Sequence, residues 1–363
     1  MNVLLLGSGH IGQTIARLLS ATSDYSVTVV DESESALGKL AGLPVKTCAA
    51  GVEAPLFASA LRGQHVVINA LPYYMAARVA ELARDAGAHY FDLTEDVGAT
   101  RRIRELAAEA STAFMPQCGL APGFIGIVAH HLTKQFDSLQ EVKMRVGALP
   151  AFPTNSLKYN LTWSVDGLIN EYCQPCEAIR DGEPIDVLPL EGLEHFSLDG
   201  VEYEAFNTSG GLGTLCETLR GRVRSLDYKS VRYPGHRDLM MVLLEEFQLK
   251  NDTDLLKALL RRAIPTTMQD VVLVFVTVTG TRDGQLLQEV FARKIFADRA
   301  QGAVASAIQI TTAAGVCAVV DLFREGHLPQ RGFLRQEQVE LPAFLANRFG
   351  AAYQQFRQVE SIG

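Results

Sequence analysis

The stretch VLLLGSGHIGQTIARLL, Val3 to Leu19, decides how the chain is built. A short apolar run is cut by a glycine loop, and an apolar pattern of helical spacing follows. Gly7, Gly9 and Gly12 stand in the order G-x-G-x-x-G, with His10 and Ile11 between the last two. Gly7 permits a tight turn, Gly9 lets a pyrophosphate approach the backbone, and Gly12 lets a helix pack on the strand. The amides at the helix N-terminus then face the phosphates. A second strand, SVTVVDE, ends with Asp31, at the offset where a carboxylate takes a ribose 2′-hydroxyl. A carboxylate there repels a 2′-phosphate, and Glu32, Ser33 and Glu34 bring no arginine, so NAD is expected in preference to NADP.

Working outward, the alternation continues. HVVINALP (65–72) predicts a buried strand, YYMAARVAELARDAG (73–87) a helix with a glycine stop, AHYFDLTED (88–96) a strand, and VGATRRIRELAAEAS a helix. TAFMPQCGLAPGF closes the series. Strands alternating with helices imply a Rossmann-type parallel sheet, and ligands of such sheets lie beyond the carboxyl ends of the strands. Those ends supply Ala70, Leu71, Pro72 and Tyr73, then Thr94, then Leu120, as further cofactor candidates.

From about residue 126 the pattern changes. EVKMRVGALP, HFSLDGVEYEAF, RSLDYKSVRY and DVVLVFVTVTGTRDGQLLQEVFARKIF read as strands, with DGQ as a hairpin turn. LMMVLLEEFQL and DTDLLKALLRRAI read as helices. The expected fold class is therefore α/β, a parallel-sheet domain plus a second α+β domain with a largely antiparallel sheet. ASAIQITTAAGVCAVVDLFREG is a long apolar helix that returns to the first domain. This places a discontinuous dinucleotide-binding domain at 1–125 with 304–363, and a substrate-binding and dimerisation domain at 126–303.

The chain has 363 residues and a net charge of −8, which argues against nucleic-acid and anionic-membrane partners. No apolar run suggests a bilayer span, and the N-terminal run leads into a glycine turn instead of a cleavage site. The six cysteines are scattered, and Cys173 and Cys176 form a lone CxxC without a second pair. No metal site is expected, and a reduced, cytoplasmic setting is.

GSGHIG, NALPYY, DLTED, CGLAPGF, GALPAFP, YNLTWSVDG, AFNTSGG and SVRYPGH, in this order, resemble the saccharopine dehydrogenase-like family, above all its short bacterial branch, the lysine 6-dehydrogenases. The resemblance covers nearly the whole chain. It implies a homodimer and NAD-dependent oxidative deamination of the side-chain amine of L-lysine, giving 2-aminoadipate 6-semialdehyde and ammonia. The alternative is a saccharopine dehydrogenase or reductase, or a related opine or diamine dehydrogenase, that forms or cleaves a secondary amine. Saccharopine reductases carry an aspartate where this chain has Ala121, and the lysine 6-dehydrogenases carry alanine.

Such chemistry needs a proton acceptor near the nicotinamide. Asp92, Glu95 and Asp96 follow a strand end, and His236 comes from the second domain. The plainer reading makes Asp92 a loop-orderer and Glu95 and Asp96 helix caps. Arg232 is the candidate for a substrate carboxylate, since its planar fork suits bidentate binding; the plainer reading is a surface ion pair. KYNLTWSVDGLINEY (158–172) clusters Tyr159, Trp163, Asp166 and Glu171. By resemblance, Tyr159 and Trp163 are pocket residues and Thr208 and Thr267 hydrogen-bond donors, with Ala121, Pro122 and Tyr233 also assigned to the substrate. A non-catalytic NAD-binding sensor is the competing class.

Overall fold

The computed structural model describes residues 1–300 and 302–354. The first sheet is parallel and contains β1 (Asn2–Leu6), β2 (Ser26–Asp31), β3 (Lys46–Ala49), β4 (Val66–Asn69), β5 (His89–Asp92) and β6 (Ala113–Met115). Its order is β6-β5-β4-β1-β2-β3, and a seventh strand, Gly332–Phe333, joins β6 in parallel at the edge. Val3 and Leu5 pack on one face, Leu4 and Leu6 on the other, and all four are essentially fully buried. Burying each is worth about 1.5–3 kcal/mol, more than the roughly 1 kcal/mol range of strand propensity, so two-sided burial is what makes this run a strand.

Between the strands lie α1 (His10–Ser20), α2 (Glu34–Gly38), α3 (Pro55–Leu61), α4 (Ala76–Asp85) and α5 (Val97–Glu109). An added Cβ at Gly12 would lie 1.9 Å from the Gly7 carbonyl oxygen, so no larger residue lets α1 start where it does.

After α6 (Phe124–Thr133) comes the second sheet. Its strands are β7 (Ser138–Pro150), β8 (Cys176–Arg180), β9 (Glu183–Val187), β10 (Glu194–Leu198), β11 (Val201–Asn207), β12 (Val223–Arg232), β13 (Asp270–Arg282) and β14 (Gln285–Phe296). The order is β10-β11-β12-β7-β13-β14, with β8 pairing with β12 and β9. The β12–β7 pair is parallel and the others antiparallel, so the sheet is mixed, not uniformly antiparallel. Asp283 and Gly284 both adopt positive φ in the β13–β14 hairpin, as a two-residue type I′ turn requires.

The helices of this part are α7 (Val165–Cys173), α8 (Leu215–Leu219), α9 (His236–Met241), α10 (Thr253–Ala263), α11 (Ala307–Arg324) and α12 (Leu341–Ala346), and β15 (Asp298–Ala300) pairs with β16 (Ala303–Ala305). Helix α11 is long and apolar enough to cross a membrane by composition, yet 89% of that window is buried inside the protein. It packs on α1, β5 and β13, and one continuous core runs from Val3 through Val316 to Val274. That shared core holds the carboxyl ends of the first sheet against the β7 and β12 face of the second. Residues 355–363, the end of the expected dinucleotide-binding domain, lie outside the described residues.

Candidate functional site

A cavity of about 790 Å³ opens where the two sheets meet. One wall is the glycine loop and the start of α1, with Gly9, His10, Ile11 and Gly12. The β4 end adds Ala70, Leu71, Pro72 and Tyr73, the β5 end Thr94 and Glu95, and the turn after β6 Leu120, Ala121 and Pro122. The far wall holds Trp163, Glu171, Tyr228, Ser230, Arg232 and Thr267. A Cβ on Gly9 would meet no protein atom within 4 Å. It would project into the cradle that a pyrophosphate needs, so these residues fit a dinucleotide.

Gly7 and Asp31 do not line the cavity but adjoin residues that do: a Cβ on Gly7 would lie 2.9 Å from the Ala70 carbonyl oxygen. Asp31 accepts from the Ser8 amide (2.6 Å) and the Ser33 amide (2.8 Å), which fixes the glycine loop to the β2 end. His10 meets the Gln309 amide at 3.1 Å, joining α1 to the first turn of α11.

The acids after β5 separate by environment. Asp92 is buried and accepts from the Thr94 amide (3.0 Å), the Gln117 amide (2.9 Å) and the Tyr90 hydroxyl (2.8 Å), so it orders the strand ends behind the wall. Burial raises it to about 6. Asp96 is corrected from a catalytic candidate to a helix cap: its carboxylate accepts from the Ala99 amide at 2.6 Å at the start of α5. Glu95 alone of the three faces the cavity. Burial, reinforced by Asp96 and Asp92, pushes its carboxyl up to about 7.

His236 is likewise corrected. It is 1% exposed and lies behind the cavity wall. Burial, with the Arg232 charge adding to it, pushes the imidazole down to about 3, so it stays neutral. Its Nδ1 lies 2.9 Å from the Leu157 carbonyl oxygen and donates to it, which leaves Nε2 to accept from the Tyr172 hydroxyl at 3.0 Å. Tyr172 in turn accepts from Nε of Arg232 at 2.9 Å. A chain of three buried groups therefore aims the guanidinium. His236→Ala or Tyr172→Phe should raise the substrate KM about tenfold with a smaller loss in kcat, on the scale of a hydrogen bond to a charged group. Steady-state kinetics checks this, and an equal fall in kcat at constant KM would contradict it.

Arg232 is 3% exposed, and Nη1 donates to the Val231 carbonyl at 2.8 Å. It lies over the rings of Tyr159 and Tyr172, at 5.1 and 5.8 Å. Among the described residues no carboxylate lies within 4.0 Å of it. The surface ion pair considered from sequence is absent there, and a buried guanidinium without a counter-ion calls for an anionic ligand.

Three of the expected substrate contacts lie behind the wall. Tyr159 is 1% exposed and accepts from the Trp163 indole N–H at 3.2 Å, so it supports Trp163. Thr208 bonds Ser230 (2.8 Å). Tyr233 donates its hydroxyl to the Pro150 carbonyl (2.9 Å) on the other face of the sheet, where successive strand residues alternate. The glycines after Thr208 serve packing: a Cβ on Gly210 would lie 2.3 Å from the Glu95 carbonyl oxygen, and one on Gly211 2.2 Å from the Tyr228 ring. Glu171 was noted in the sequence but given no role. Gly167 and Glu171 are one helical turn apart on α7, and the Trp163 indole rests on Gly167, where a Cβ would be 2.4 Å away. That i, i+4 spacing was the available signal. Tyr228, Ser230 and Gln309 carried none.

A glycine cradle on a parallel sheet, closed over by a second sheet with an acid and a guanidinium without a carboxylate partner among the described residues, defines a protein with an NAD(P)-binding domain joined across a cleft to a second domain. Residues 3–115 match the saccharopine dehydrogenase NADP binding domain and residues 119–348 the saccharopine dehydrogenase C-terminal domain. The chain belongs to the saccharopine dehydrogenase family. It is 23% identical over 328 residues to the mitochondrial alpha-aminoadipic semialdehyde synthase of Mus musculus, covering 82% of this chain and 34% of that protein. It is 24% identical over 269 residues to saccharopine dehydrogenase (NADP(+), L-glutamate-forming) of Saccharomyces cerevisiae, covering 70% and 59%. The chain thus spans about a third of the mouse relative's length. The apo yeast saccharopine dehydrogenase (L-Glu forming) superposes with a TM-score of 0.78 at 18% identity, covering 94% of this chain and 96% of that one. The homospermidine synthase of Legionella pneumophila, solved with NAD, gives 0.70 at 14%, covering 97% and 89%. These two likenesses establish the fold.

Proposed function

We propose that the protein oxidises the side-chain amine of L-lysine with NAD, releasing 2-aminoadipate 6-semialdehyde and ammonia. The observation that carries this reading is the unpaired, buried Arg232 in the same cavity as the dinucleotide cradle and Glu95. Arg232 binds the α-carboxylate, and Glu95, on the wall that carries the cradle, takes the proton that the ε-ammonium must lose before oxidation. Bound NAD supplies the acceptor for the hydride that leaves the ε-carbon. The substrate iminium that results adds water, with Glu95 holding and returning the proton, and the carbinolamine collapses to aldehyde and ammonia. Leu120, Ala121 and Pro122 leave space for the nicotinamide, and Trp163 covers the reacting end from water.

NAD is favoured over NADP because a 2′-phosphate at the β2 end would meet the Asp31 carboxylate, and Glu32 and Glu34 follow it in the chain without an arginine. Asp31→Ser should raise the KM for NAD about tenfold and narrow the NAD over NADP preference, as loss of a charge-assisted hydrogen bond implies. An unchanged ratio in parallel NAD and NADP titrations would remove Asp31 from the ribose. A secondary-amine reaction is the second reading, since Arg261 at the mouth offers a second cation, although Asp166 already meets it at 3.3 Å. Absorbance at 340 nm with NAD and a panel of L-lysine, L-ornithine and 1,5-diaminopentane tests the first reading. NADH consumption solely with aldehyde plus glutamate would establish the second in its place.

A further inference from the structure

We infer that Glu171 and Arg232 together form a clamp for the zwitterionic head of an α-amino acid, with Glu171 taking the α-ammonium. The inference rests on the proposed function and extends it to the group that selects an amino acid over a simple amine. Glu171 is 7% exposed and borders the cavity. Among the described residues no hydrogen bond or ion pair reaches its carboxyl, although Arg232 acts on it electrostatically. The carboxyl and the guanidinium thus face one cavity without closing into a pair. A buried carboxyl without a donor and a buried guanidinium without a carboxylate are each costly, and one ligand satisfies both if it carries an anionic and a cationic group on a single carbon. The α-carbon of an amino acid carries that combination; a fatty acid, a simple diamine or a sugar phosphate does not.

The titratable groups around Glu171 agree with this. Burial raises its carboxyl to about 8, Arg232 lowers it, and Glu95 raises it further. Tyr159, Tyr172, Tyr228 and Cys176 also feel its charge, and burial raises all four, so they stay neutral near pH 7. An arriving ammonium therefore ionises Glu171 as it binds. Among the described residues the other carboxyls on the cavity are Glu95, which the reacting amine uses, and Asp166, which is already paired with Lys257 at 2.7 Å and Arg261 at 3.3 Å.

The test is binding as well as turnover. Trp163 is the only tryptophan in the chain and lines the cavity, so its fluorescence reports occupancy whether or not a reaction occurs. L-Lysine and 6-aminohexanoate, which lacks the α-ammonium, are titrated into wild-type protein and Glu171→Gln in the presence of NAD, with kinetics run in parallel. The expected result is at least tenfold weaker lysine binding in E171Q, with the loss appearing in KM, while 6-aminohexanoate binds both proteins alike. Retained 6-aminohexanoate binding also shows that E171Q is folded. Glu171→Asp should recover part of the lysine affinity. Equal weakening of both ligands, or a loss confined to kcat, would overturn the clamp and make Glu171 a general packing or proton-transfer group. Lysine binding with this selectivity but no NADH would leave the clamp standing and sink the proposed reaction; NADH formation without the selectivity would do the reverse.

Discussion

Glu95→Gln should lower kcat for lysine by about 10²- to 10⁴-fold, the range expected when a positioned proton acceptor is removed. The substitution keeps the shape of the side chain beside Gly167 and Trp163, so the loss should fall on kcat and not on the KM for NAD. The pH profile carries the sharper signature. Glu95 is raised to about 7, so it is neutral below that pH and ionised above it. Only the ionised form accepts a proton. Wild-type kcat/KM should therefore rise as pH increases from 6 through about 7 and 8, the upper part reflecting Glu171. In E95Q the lower part of that rise should vanish. Measuring kcat/KM from pH 5.5 to 9.5 for both proteins decides the matter, and a profile unchanged in E95Q would assign the proton to another group.

Arg232→Ala should raise the lysine KM by about 100-fold or more, since truncating one partner of a buried, hydrogen-bonded charge pair costs about 2–5 kcal/mol. Two effects add. The α-carboxylate loses its fork, and the Tyr172 hydroxyl loses the donor that closes the chain from His236. Arg232→Lys should recover little, because a point charge cannot reproduce the bidentate geometry or the bond from Nε to Tyr172. NAD affinity should hold, as the cradle at Gly9 and Gly12 belongs to the opposite wall. The kinetic constants for lysine and NAD, taken separately, check both statements. A normal lysine KM would remove Arg232 from the substrate.

The wall built on the first sheet was legible because it is local. Ten of the twelve residues assigned to it from sequence line the cavity; the other two, Gly7 and Asp31, do not, and Asp31 is tied to the glycine loop through the Ser8 amide. A strand, a glycine loop and a helix follow one another directly there, so spacing translates into position. The substrate wall was less legible. Residue type suggested His236, the family resemblance suggested Tyr159 and Thr208, Tyr233 was assigned beside Arg232, and the fold turned each away from the cavity. Tyr233 shows why: it sits next to Arg232 in the chain, and adjacent residues of a strand point to opposite faces. Glu171 shows the converse, a residue whose one sequence signal was its helical spacing from Gly167 and which burial makes conspicuous.

What the order of residues settles here is the parallel sheet, the glycine turn and the small loop from Gly119 to Gly123, because each depends on neighbours within a few positions. Which carboxyl faces the cavity, and whether a guanidinium finds a counter-ion, was left to the meeting of two sheets. Asp92, Glu95 and Asp96 fall within five consecutive positions of one segment, yet one ties strand ends, one faces the cavity and one caps a helix. Burial and hydrogen-bond supply assign those roles, and both arise only once distant segments pack together.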